Sequence, residues 1–78
     1  MSPAQCLAAR TLLDWTSADL ARAAGVSVIT VRKFEAGTLV SGRLAPTLMK
    51  RALEGAGIRF SIAEGAEGTA QLDSHPSQ

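Results

Sequence analysis

The chain has 78 residues, 46% of them hydrophobic and 19% charged, and one cysteine, Cys6: a single small domain, whose folding buries only about 60% of the unfolded surface, so that oligomerisation is a common remedy for marginal stability. No apolar run approaches the roughly 18 residues a membrane span needs, no signal peptide opens the chain, and Cys6 has neither a disulfide partner nor metal-ligand spacing around it, so a reduced, cytoplasmic setting without a membrane is expected. The net charge of +1 hides a split, because between residues 20 and 51 six cations stand against Glu35 alone, a net of +5, which points to a polyanion.

Ser2-Pro3-Ala4-Gln5 reads as a helix start, with Ser2 as cap, Pro3 at the first helical position and Gln5 closing a capping box. The first predicted helix runs from Pro3 to about Leu13, with Cys6, Ala9, Leu12 and Leu13 as its apolar face. Cys6 reads as a small core residue rather than a reactive thiol. Thr16 opens a second helix with Asp19 at its third position, and Trp15 and Leu20 occupy the positions of a hydrophobic staple. Leu20, Ala21 and Ala24 form the inward stripe of that helix. Gly25 ends it, where a left-handed residue is needed that only glycine adopts without strain. Val26 plugs the corner. Ser27 caps a third helix whose inward residues are Val31 and Phe34. Its outer face shows Ile29, Arg32, Lys33 and Ala36.

Two helices joined by about 3–4 residues with glycine in the turn form the helix-turn-helix layout, whose second helix enters a major groove. Gly37 ends the third helix. Thr38 to Leu44 reads as a loop with Leu39 or Leu44 tucked beneath it and with Thr38, Ser41 and Arg43 in reach of phosphates. Ala45-Pro46 opens a fourth helix, Pro46 at its first position. Leu48, Met49, Ala52, Leu53 and Ala56 follow its period, Lys50 and Arg51 lie on its open side, and Gly57 caps it. The period then falls to 2: Ile58, Phe60 and Ile62 alternate with Arg59, Ser61 and Ala63, as in a half-buried strand. Residues 64–68 read as a turn, 69–72 as a short second strand and 73–78 as a disordered tail. The expected division is a helix-turn-helix domain over 1–57, a strand or hairpin over 58–72 and the tail.

Leu20-Ala21, Gly25-Val26-Ser27, Thr30-Val31, Glu35 and Gly37 fit the pattern L-A-x-x-x-G-V-S-x-x-T-V-x-x-x-E-x-G. In this the chain resembles the lambda-repressor/Cro-like (XRE) family of helix-turn-helix regulators, densely over residues 20–37 and loosely over 4–57. The resemblance implies a mainly α, four-helix lambda-repressor-like domain, here extended by a short C-terminal β-strand or hairpin. It implies that Ala21 is small because two helices cross there, and that Arg10 pairs with Glu35.

The function so implied is a sequence-specific regulator of transcription on double-stranded DNA, a homodimeric repressor or autoregulator on a pseudo-palindromic operator. Val28, Ile29, Arg32 and Lys33 are the expected base readers, the first two limited to packing on thymine methyls. Thr16, Ser17 and Thr30 join Thr38, Ser41 and Arg43 as phosphate contacts. The dimer contact is expected from Ile58, Phe60 and Ile62, with Met49 or Leu53 of the fourth helix as the alternative. The apolar Val28-Ile29 pair also suits a protein partner, so an antiactivator, or the antitoxin of a toxin–antitoxin pair, is the competing expectation. No catalytic residue, cofactor or metal is expected: His75 is the sole histidine, and no acid–base pair converges.

Overall fold

A computed structural model describes residues 1–39, 42–62 and 68–72. These form four helices and a hairpin: α1 (Pro3–Leu13), α2 (Ser17–Ala24), α3 (Val28–Glu35), α4 (Leu44–Gly55), β1 (Ile58–Ile62) and β2 (Gly68–Leu72). The starts of the first three helices are fixed by local bonds. Gln5 N donates to Ser2 Oγ and Ser2 N to Gln5 Oε1, which closes one capping box. Thr16 and Asp19 exchange the same two bonds at the start of α2. Ser27 Oγ accepts from Thr30 N at the start of α3. Gly25, with φ +75°, ends α2 in the left-handed region.

α4 starts two residues earlier than Pro46 implied. Arg43 is its N-cap, without a side-chain capping bond, and Pro46 sits in the first turn. The first backbone N–H groups of a helix have no intrahelical acceptor, so a proline in that turn removes no bond.

Cys6, Ala9, Leu20, Ala21, Val31, Met49, Leu53 and Ile58 form one buried cluster drawn from all four helices and β1. Ala21 lies in it, on the helix that packs against α3. Leu13, Trp15, Val26 and Phe34 pack around the cluster as expected. Two leucines fall elsewhere. Leu12 is on the exposed side of α1, because the helix turns about 100° per residue and Leu13 takes the inward place. Of the loop pair, Leu39 is half-buried and Leu44 is 71% exposed.

The hairpin pairs antiparallel, with Ile58 opposite Leu72 and Phe60 opposite Ala70. β2 lies along α1, and β1 packs on α4. Among the residues expected at a dimer contact, three are drawn into the chain's own core. Ile58 is only 2% exposed, inside its own chain's core, and Phe60 packs against that core. Met49 and Leu53 are fully buried as well. Ile58, Met49 and Leu53 are therefore taken up by the chain's own core, while Phe60 keeps part of its surface exposed. The side chain of Ile62, the turn over 64–67, Ser41 and the tail over 73–78 lie outside the described residues.

Candidate nucleic-acid interface

The site is built on the turn of Gly25, Val26 and Ser27 between α2 and α3. Gly25 N and Val26 N both donate to Ala21 O, at 2.9 and 3.0 Å, which closes the end of α2 and fixes where the chain leaves it. With Val31 fully buried and Phe34 half-buried against the core, the opposite side of α3 must face out. Ile29 (63% exposed), Arg32, Lys33 and Ala36 lie there. Among the described residues neither Arg32, Lys33 nor Arg43 has an ion-pair partner. Two cations and one exposed isoleucine therefore stand on the outer face of α3, without ion-pair partners among the described residues.

Val28 departs from the expectation. It is half-buried and packs in part against the core, so it offers less surface outward than Ile29 does. Thr30 is half-buried, and its hydroxyl lies 2.9 Å from Ser27 Oγ. The Thr38 hydroxyl donates to Lys33 O at 3.2 Å, which ties the end of α3 but uses its proton. Thr16 is exposed and Ser17 half-buried at the start of α2. The Asp19 carboxylate accepts from Thr16 N there, and that bond, with the Thr16 hydroxyl, holds its carboxyl below the ordinary value. A fixed negative charge thus already occupies the helix end where a phosphate would sit. Arg22, exposed and 3.6 Å from Asp19, offsets it in part. Arg43 is exposed at the start of α4.

Behind the face, Arg10 grips Glu35. Nε donates to Oε2 at 2.7 Å and Nη2 to Oε1 at 2.8 Å, the two-pronged geometry that fits guanidinium to carboxylate. Nη1 reaches Trp15 O at 2.9 Å. One side chain thus joins α1, the α1–α2 connection and the last residue of α3. The Cys6 thiol adds a bond to Glu35 Oε2 at 3.1 Å. Sequence reasoning missed that bond, although Cys6 and Arg10 are four apart on one face of α1. Burial pushes the Glu35 carboxyl up, but the bonds from Arg10 and Cys6 and the arginine's charge outweigh it and hold it below the ordinary value. Burial, then the bond to Glu35, pushes the Cys6 thiol far up, so it stays protonated.

Among the described residues no group of three His, Cys, Asp or Glu could hold a metal, and no helix is long and apolar enough to cross a membrane. In comparison with known proteins, no family model and no curated sequence matches the chain.

Proposed function

We propose that this protein is a sequence-specific double-stranded DNA-binding regulator of the lambda-repressor-like type, with α3 laid in the major groove. The observation that carries this reading is the outer face of α3, where Ile29, Arg32 and Lys33 are exposed and neither cation has an ion-pair partner among the described residues. Arg32 and Lys33 suit the acceptor edge of guanine, and Ile29 suits a thymine methyl. Arg43 contributes a phosphate contact that sets register without reading sequence. The Arg10–Glu35 pair holds α3 on α1, so the reading face is presented on a rigid support. A dimer matches a two-fold operator with half-sites about 34 Å apart.

Exposure of Ile29 also favours a second reading, a protein-interaction module that engages another regulator through the same face. Selection from a pool of random duplexes separates the two. The DNA reading predicts enrichment of an inverted repeat with half-sites one helical turn apart. Recovery of unenriched sequence would favour the protein partner.

A further inference from the structure

α1 is apolar nearly all round. Gln5, Cys6 and Ala9 are buried inward, while Ala4, Leu7, Ala8, Thr11 and Leu12 are exposed outward. Those five recur at i, i+3, i+4, i+7 and i+8, one continuous stripe along the helix. Leu7 is 50% and Leu12 45% exposed. The stripe carries no charge: Arg10, the one charged residue of α1, turns away to Glu35. Its one polar side chain is satisfied within the helix, since Thr11 Oγ1 donates to Leu7 O at 2.9 Å. The other three helices all carry charges on their exposed sides: Arg22 on α2, Arg32 and Lys33 on α3, Arg51 and Glu54 on α4. A helix without a polar face is the kind that is buried on both sides.

We propose that this stripe of α1 is the contact surface for a second copy of the chain, packed antiparallel across a two-fold axis at Ala8. A face free of charge is complementary to itself, with no ion to desolvate on either side. About Ala8 the pattern also fits itself, because Ala4 of one copy meets Leu12 of the other. Small thus faces large, and the two alanines at the axis let the helices approach closely. The contact deepens the DNA reading and rests on it for the two-fold axis. Because Arg10 clamps α1 to Glu35 of α3, joining the two α1 helices would fix the two reading faces relative to each other.

Sedimentation of the full chain without DNA tests this, beside Leu7→Glu/Leu12→Glu and Ala8→Cys. The wild type runs as a dimer at tens of micromolar. The double variant, changed only at exposed positions, keeps its helical spectrum and raises the dimer dissociation constant roughly 30-fold or more, as loss of interface anchors does. Ala8→Cys forms a covalent dimer under oxidised glutathione, while Ala18→Cys on α2 does not. A monomeric wild type, or a double variant that dimerises as the wild type does, overturns the proposal. Should the double variant unfold, Ala8→Cys decides alone, and its failure to cross-link overturns the proposal. A dimer through α1 that retards no duplex leaves this contact standing and removes the DNA reading. Operator binding by a dimer that joins elsewhere does the reverse.

Discussion

Replacing Arg10 by Met removes a cation and keeps much of the side chain's bulk. It breaks two charge-assisted bonds to Glu35 and one to Trp15 O, and leaves a carboxylate only 13% exposed with Cys6 as its remaining side-chain donor. Breaking one side of a buried pair costs about 3–5 kcal/mol, and the residual exposure here argues for the lower end, about 3 kcal/mol. In a domain of this size each kcal/mol is worth about 4–8 °C, so thermal melting followed by circular dichroism falls by roughly 12–24 °C. Arg10→Met/Glu35→Leu removes the stranded charge as well and recovers to within about 1 kcal/mol of the wild type.

The pH dependence carries the same signature. In the wild type the Glu35 carboxyl lies below its unfolded value, so its stabilisation is present above about pH 4.3 and is lost as pH falls through the folded value. In Arg10→Met burial dominates and the folded value rises, so protonation relieves that variant. The gap between wild type and variant therefore narrows from pH 7 toward about pH 4. A melting temperature unchanged by Arg10→Met, or a gap that widens on acidification, would refute this account of the pair.

Gly25→Val lowers stability by roughly 1–3 kcal/mol through backbone strain at φ +75°, since an added Cβ itself meets open space beyond its chain neighbours; Gly25→Asn costs less, and equal melting of all three proteins would remove the left-handed turn from the account. The Cys6 thiol is raised above its ordinary value of 9.0, so its contribution is complete below that pH and declines as pH rises beyond it. Melting temperature accordingly falls more steeply above pH 9 in the wild type than in Cys6→Ala, and parallel curves would contradict this. Arg32→Ala and Lys33→Ala relax base preference at about 1–3 kcal/mol per contact, whereas Arg43→Ala weakens all sequences alike; a reversal in selection experiments would exchange their roles.

The helix starts were legible because their bonds are local. Ser2 with Gln5 and Thr16 with Asp19 are three apart, and a glycine between two apolar stripes announces a left-handed turn. The exposed face of α3 followed from period alone, since burying Val31 and Phe34 leaves Arg32 and Lys33 outside. What period could not assign was the edge of each face. Val28 and Ile29 are adjacent, and the packing of α3 on its neighbours decides which of them supports the helix and which is free. Leu12 and Leu13 divide in the same way. Strand alternation marked Ile58 and Phe60 as one apolar side but not its cover, which depends on where α1 and α4 pass. Asp19 read well as a cap; that its carboxylate places a negative charge beside Thr16 and Ser17 emerges only from the bonds it makes there.

The central claim is that the outer face of α3 binds duplex DNA. Fluorescence anisotropy of a selected duplex, titrated with the full chain over a range of salt for wild type and Arg32→Ala/Lys33→Ala, tests it most directly. For a dimer that neutralises about six to eight phosphates, log affinity falls against log salt with a slope near −5 to −7, and the double variant binds more weakly with less preference over a scrambled duplex. A flat salt response, or a double variant that discriminates the two duplexes as the wild type does, would contradict it.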